Sequence, residues 1–554
     1  MSPKTLARIF PLGPDSRRQP GVPEGRLEKY QFNTSRIFPG TERDYWVYVP
    51  AQYRPTKAAC LLVVQDGWSH LFFNRWAVNI VLDNLIHQGA MPIMIGVFIN
   101  PGQVPPARPN VWARINRSFE YDSTGDRYVR FLLEELLPEV EQRYRIRADG
   151  NSRAIMGGSS GAFCALNAAW ERPDKFQRVF SNVGSFAPMR GGDTLANRVR
   201  LTDPKPLRIF LAGGAADLDV VCGHWWTVNL AMQAALRYAG YEVRHAWDDR
   251  AGHNEFHGSM VCPAALRWLW SGYPRKVKAG RDSRQPVVKV LAPQRHWESM
   301  AAAPAGVGAL AVDLAGRLCF AAEADGTIRR LESTGRTTVL ARNLPGIAAL
   351  AFDAAGVLLA ARPSARQVCR LRGRNRPEIL AKGMAVHGIG VNGTGGIYLA
   401  ETKRNRVWHL SRSGGRCEVA WRGKAPTVLC ATGDGTQMLV ALANGDHVWI
   451  TSIAPEGGLT HAEPFFVLCR DEGEPAREVT AMSVACPGWL LIATRAGLQL
   501  NFHHGLVAGF VPPPVPGAAL TGVALAGPKR DELYVSCRGR IFRRRIRRLE
   551  NLWF

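Results

Sequence analysis

The sequence predicts two folds in succession: a mainly parallel sheet with helices on both faces over residues 1–275, then a six-bladed β-propeller over 301–554. Three observations carry this. Short apolar runs alternate with long helical patterns in the first part, the helical patterns stop after about residue 275, and the second part repeats one strand-and-turn phrase about every forty residues.

The first fold rests on seven strand-like runs: "YWVYVP", "CLLVVQDG", "MPIMIGVFIN", "RAIMGG", "VFSNVGSF", "LRIFLAGG" and "EVRHAWDD". Between them lie helical segments such as "DRYVRFLLEELLPEVEQRY" and "TVNLAMQAALRYAG". Strands joined by helices of that length must cross over and run parallel. The second fold rests on six phrases, among them "DLAGRLCFAAEADGTIRRL" and "DAAGVLLAARPSARQVCRL", marked by Gly316, Gly356, Gly396, Gly435 and Gly488, with Asp531 in the sixth. One four-stranded blade cannot bury both faces until neighbours stack on it, so six such units imply a ring. The longer interval before Gly488 is expected to hold a normal blade with extended loops. Residues 276–300, rich in Lys, Arg, Pro and Ser, read as a linker.

Composition narrows the function classes. Hydrophobic residues make up 46% and charged residues 21% of the 554, the balance of a globular protein. No apolar run approaches the ~18 residues needed to span a bilayer, so no membrane segment is expected. The N-terminal "MSPKTLARIFPLGPDSRRQPG" lacks the apolar core of a secretion signal, which points to a cytoplasmic location. Eleven cysteines, odd in number and without a C-x-x-C pair, read as reduced and buried. The net charge of +24 is arginine spread along the chain without a nucleic-acid-binding motif, so a nucleic-acid partner is not expected. Its one cluster, "RGRIFRRRIRRLENLWF", alternates with Ile541, Phe542 and Ile546 and reads as a last strand with a basic face.

One stretch carries chemistry. In "AIMGGSSGAFCALNAAW", G-x-S-x-G follows a strand-like run and opens a helix that Pro173 ends. That is the strand-turn-helix of a nucleophile elbow, in which flanking Gly157 and Gly161 allow a tight turn and close approach of helix to sheet. The helix N-terminus favours negative charge developing there. Ser159 has glycine on both required sides, whereas Ser160 would sit between Gly158 and Ala162, so Ser159 is the expected nucleophile. In this α/β-hydrolase architecture the Ser160 amide supplies one oxyanion-hole donor, and "VVQDGWSH" offers Gly67 or Trp68 as the second.

A serine needs a base, and the base needs an acid to orient it. The order Ser, Asp, His is present: "AADLD" offers Asp217 or Asp219 after one strand, and "RAGHNEFHG" offers His253 or His257 after the next. The H-N-E-F-H run departs from a zinc-binding helix because Asn254, not Glu, follows the first His.

Together "QDGWSHLFF", "NRSFEYDSTGDRYVRFLLEELLPEVEQRY", "GGSSG", "GGAADLD", "AGHNEFHG" and "ALRWLW" resemble the enterochelin-esterase-like, or esterase D-type, branch of the α/β-hydrolases over nearly all of residues 20–275. The resemblance implies Ser159 as nucleophile, Asp217 as acid and His253 as base in a cofactor-free cleavage of small-molecule esters. It also makes Arg117, Glu120 and Asp122 candidates for lining the substrate pocket, with helix capping and surface pairing as the other role for them.

The second half is similar to gluconolactonase/regucalcin-like propellers, which hold a divalent cation on their axis. Where those carry carboxylate or amide ligands, this sequence has Ala305-Gly306, His387-Gly388, Thr427-Val428 and Thr480-Ala481. A hard cation needs oxygen ligands, so the expectation is a metal-free propeller that is not a lactonase. The whole then reads as a serine esterase with a propeller scaffold or recognition module that could hold a protein partner. The alternatives are an interaction protein with a vestigial hydrolase and a metal-dependent lactonase.

Overall fold

The computed structural model describes residues 1–73, 75–106, 113–280, 284–291, 296–300, 306–332, 335–372, 377–410, 417–469, 478–485 and 488–547. The chain divides into an N-terminal and a C-terminal compact unit, parting near residue 282.

The N-terminal unit is built on one eight-stranded sheet: β1 Arg26–Phe32, β2 Arg43–Val49, β3 Cys60–Gln65, β4 Met94–Ile99, β5 Arg153–Gly158, β6 Arg178–Asn182, β7 Arg208–Gly213 and β8 Glu242–Trp247, in the order β1-β2-β4-β3-β5-β6-β7-β8. From β4 onward along that order every pairing is parallel. The two pairings made by β2, with β1 and with β4, are antiparallel. The sequence reading missed β1: its "RLEKYQF" lies at the sheet edge, is buried only at Phe32, and has no apolar run. Strands β3 and β4 are buried at every position, as expected where helices cover both faces.

Two apolar layers hold the sheet. On one face Val63, Val97, Ile155 and Ile209 pack with helix Ser160–Glu171 and the helical run 127–141. On the other, Val64, Phe98, Met156 and Phe210 pack with helices Val78–His87 and Glu255–Trp270. Strand order reverses at β3, so the loops leaving the C-terminal ends of β3 and β5–β8 gather along one edge, where open α/β sheets bind ligands.

The C-terminal unit is a six-bladed propeller. Five blades are consecutive four-stranded antiparallel sheets, opening at Val307, Ala349, Gly388, Pro426 and Val479. The sixth combines Leu520–Ala526, Glu532–Cys537 and Arg540–Arg545 with Glu298–Met300 as its outermost strand. The innermost strands adjoin one another in a closed ring. The turns after four of the six innermost strands repeat one device: Asp313, Asp353 and Asn392 each accept a hydrogen bond on a side-chain oxygen from the amide four residues on, and Thr432 does the same from the amide five on. Residues 276–300 were expected as linker, but helix Pro286–Val290 buries Val287 and Val290 in the propeller core, and Glu298–Met300 is a blade strand. Ala305, the first of the departed ligand positions, and residues 548–554 of the basic tail lie outside the described residues. No helix among the described residues is long and apolar enough to cross a membrane.

Candidate active site

Strand β5 ends at Gly158, and Ser159 turns the chain into the helix at φ 58°, ψ −125°, a conformation that strains any side-chain-bearing residue. Both flanking glycines are needed for close approach. A Cβ on Gly157 would lie 2.4 Å from the backbone of Gly161, and one on Gly161 would lie 3.0 Å from Gln65 Cβ and Asp66 Oδ2. The turn lifts Ser159 Oγ out of the sheet toward the loops that follow β7 and β8.

Those two loops are zipped together. Ala216 pairs with Gly252 in a parallel bridge, and the Ala216 amide donates to the Ala251 carbonyl at 3.2 Å. Gly252 carries no side chain because a Cβ there would meet the Ala216 carbonyl at 2.9 Å. The zipper sets Asp217 beside His253, with Asp217 Oδ1 2.7 Å from Nδ1, while Nε2 lies 2.8 Å from Ser159 Oγ. The Asp217 carboxylate is 2% exposed and also accepts from the Leu218 amide, whereas the imidazole keeps 22% exposure. Trp225 meets the imidazole edge-on at 5.9 Å. One ring therefore joins a buried anion to an accessible hydroxyl.

The other candidates for acid and base fall elsewhere. Asp219 lies exposed on the short hairpin 219–224, paired with His224. His257 is buried one turn into helix Glu255–Trp270, edge-on to Phe10, and burial lowers its pKa below the usual histidine value.

Around the hydroxyl, Ser160 is buried at the helix N-terminus. The Trp68 amide donates to Asn100 Oδ1 at 3.0 Å, and Gly67 lies where a Cβ would strike the Phe98 and Ile99 backbone. Sequence reasoning missed two neighbours. Ser185 Oγ lies 3.3 Å from Ser159 Oγ, and Asn100 follows β4; both follow strands read correctly, which is the only signal that marks them.

The three pocket candidates separate. Arg117, 35% exposed, forks onto Asp66 through Nε at 2.8 Å and Nη2 at 2.9 Å, steadying the β3 loop. Glu120 is no pocket residue: fully buried, it pairs with Arg43 at 2.6 and 3.0 Å and accepts from the Gly102 amide. Burying an unpaired carboxylate is costly, so Arg43 at the start of β2 draws it inward. Asp122 is also turned in, at 1% exposure. It sits close to the hydroxyls of Ser118 and Ser160, but neither oxygen accepts a full hydrogen bond.

Residues 36–253 match the model of the protein family described as "Putative esterase". The N-terminal unit is an esterase-family domain. It is 23% identical over 178 residues to the uncharacterized protein YbbA of Bacillus subtilis (strain 168), spanning 32% of this chain and 69% of that protein. It is 29% identical over 156 residues to the iron(III) enterobactin esterase of Dickeya dadantii (strain 3937), spanning 25% of this chain and 34% of that one. Among solved structures, a gluconolactonase of Xanthomonas campestris aligns with 47% of this chain and 93% of its own at 13% identity, TM-score 0.42. The family match lies within the N-terminal unit, and the six-bladed propeller follows it. In the esterase domain the nucleophile elbow, β3 loop and zipped loops all lie within or at the border of the matched segment.

Proposed function

We propose that the esterase domain is a serine hydrolase that cleaves a carboxylic ester of a small molecule through an acyl-enzyme. Ser159 Oγ attacks the ester carbonyl as His253 Nε2 takes its proton. Asp217 holds the ring with Nδ1–H donating to Oδ1 and stabilises the imidazolium that forms. His253 then passes the proton to the departing alkoxide. Water repeats the attack with the same base, releasing the acid and restoring Ser159. This chemistry needs neither metal nor cofactor.

The amide of Ser160, with that of Gly67 or Trp68, is the expected oxyanion hole. For Trp68 to serve, the substrate oxygen takes the place of Asn100 Oδ1 on its amide. Arg117 acts from the rim by holding Asp66.

The propeller serves as scaffold or recognition module. Two of the positions that carry ligands in gluconolactonase-like propellers are occupied by hydroxyls turned to backbone carbonyls, Thr427 toward that of Ala441 and Thr480 toward those of Ala493 and Leu520, while His387 meets the Thr402 hydroxyl. A cytoplasmic location and a small-molecule partner complete the reading.

The observation that carries the proposal is the hydrogen-bonded run Asp217–His253–Ser159. The test is covalent labelling of the full chain by a fluorophosphonate, followed by turnover of p-nitrophenyl esters and of the siderophore ester named for the Dickeya relative. Labelling should vanish in Ser159→Ala and persist in Ser160→Ala. Asp217→Asn should lower kcat about 10³–10⁴-fold with the fold intact. Labelling that survives Ser159→Ala would refute the assignment.

A further inference from the structure

The end of β6 and the loop that follows it close on the nucleophile at three points. The Ser159 amide donates to the Asn182 carbonyl at 2.9 Å, and the Ser185 amide donates to the Ser159 carbonyl at 3.2 Å. The third point joins the side chains, with Ser185 Oγ 3.3 Å from Ser159 Oγ. Ser185 is buried, and its hydroxyl has no other partner among the described residues.

The loop holds this place against its own backbone preference. Val183 stands at φ 44°, in the left-handed region that a β-branched side chain rarely enters. Strain of that kind persists only where the surroundings fix it. The Val183 amide donates to the Ala212 carbonyl at 2.7 Å, and Asn229, buried on helix Trp225–Tyr238, donates from Nδ2 to the Gly184 carbonyl at 2.8 Å. A strained turn, pinned from β7 and from that helix, therefore delivers one hydroxyl to the nucleophile.

The protons give the contact its direction. His253 donates Nδ1–H to Asp217, which leaves Nε2 as an acceptor, and the Ser159 proton goes to it across 2.8 Å. Ser159 Oγ then meets Ser185 with lone pairs only, so Ser185 is the donor. At 3.3 Å the bond is long for two hydroxyls. It shortens once Ser159 Oγ gains negative charge, because a hydrogen bond to an ionised acceptor is shorter and about twice as strong as a neutral one. That charge develops during the attack on the ester, and again as Oγ leaves the acyl group. A bond stronger in the transition state than in the ground state raises the rate without tightening substrate binding.

We propose that Ser185 is a further catalytic residue, donating its O–H to Ser159 Oγ as that oxygen gains charge in acylation and again in deacylation. Ser185 keeps its proton throughout, and the proton of Ser159 still travels to and from His253. The proposal rests on the serine-hydrolase reading above.

The test compares fluorophosphonate labelling rates of the full chain with its kcat and KM for p-nitrophenyl butyrate. Ser185→Ala should label about 10- to 100-fold more slowly and lose kcat by a like factor, as expected for one hydrogen bond to a charged group. KM should hold, because acylation and deacylation slow together, and the urea unfolding midpoint should hold with it. Ser185→Thr keeps the hydroxyl and should recover most of the parent rate. If its added methyl group unfolds the chain, Ser185→Cys, which has only a weak S–H donor, should stay well below the parent. Ser185→Ala labelling at the parent rate, a raised KM in place of a lowered kcat, a folded threonine variant as slow as alanine, or cysteine as fast as serine would each overturn the proposal and leave the hydrolase reading intact. A parent chain that the fluorophosphonate does not label would overturn the hydrolase reading, and this proposal with it.

Discussion

Asp122 is a carboxylate in surroundings that favour the neutral acid. Burial raises its pKa above the ordinary 3.8, against the opposing pull of the Ser118 and Ser160 hydroxyls and of Arg117 and Arg190. A folded-state pKa raised above the unfolded one means that stability is lost as pH climbs through the folded value. Asp122→Asn keeps the shape and removes the charge. At pH 7 it should stabilise the chain by about 1–2 kcal/mol, the scale of an unsatisfied buried polar group, and the gain should disappear below about pH 4. Urea unfolding of the two chains at both pH values checks this. Two residues earlier the sign reverses. Glu120 is paired with Arg43 through two hydrogen bonds, so Glu120→Ala leaves a buried guanidinium without its carboxylate and should cost about 3–5 kcal/mol in the same assay. One short stretch, "RSFEYDS", therefore holds a carboxylate whose removal helps and another whose removal harms.

At the scale of elements, the elbow is a contact between strand and helix that only glycine permits. Gly157→Ala would drive its Cβ into the Gly161 backbone at 2.4 Å, where nothing can yield without shifting the helix. Gly158→Ala meets nothing nearer than Asn182 Nδ2 at 3.8 Å. The first variant should lose fluorophosphonate labelling at least 10²-fold, since a 1 Å misplacement of the nucleophile costs about that much, and the second should label within a few-fold of the parent. Equal labelling of both would mean that the turn is not set by this contact. The elbow was legible because its determinants are local: an apolar run, two glycines and a helical pattern within seventeen residues. Asp217 and His253 were legible as candidates for the same reason, each closing a strand. What local pattern could not give is pairing at a distance. Arg43 is 77 residues from Glu120, and nothing near either one announces the other. Asn100 and Ser185 are ordinary polar residues in their own strings, and they matter only because β4 and β6 end beside the elbow. Strand β1 escaped because an edge strand has no need of apolar residues.

At the scale of the whole molecule, each unit has its own apolar layers, and the propeller must also close a ring. Its last three strands come from the C-terminus, and the outermost strand of that blade comes from Glu298–Met300, in the register Glu298↔Arg543, Ser299↔Phe542, Met300↔Ile541. Glu298 adds an ion pair to Arg543 at 2.8 Å, and Arg543 also faces Glu532, so the basic last strand is partly neutralised within its own blade. A strand of three residues is too short to show periodicity, which is why it read as linker. Adjacent residues of a strand point their amides to opposite edges, so the double substitution Ser299→Pro, Met300→Pro must remove one ladder donor in either phase. It should weaken the closed ring by about 3 kcal/mol, the cost of proline in a hydrogen-bonded position. Hydrogen exchange followed by mass spectrometry locates the loss. Protection should fall in Glu532–Cys537 and Arg540–Arg545, while Cys60–Gln65 and Arg153–Gly158 of the esterase domain keep theirs and fluorophosphonate labelling continues. Protection lost in both sets of strands would mean that the chain unfolds as one cooperative body, and ring closure would then stabilise the esterase domain as well as the propeller.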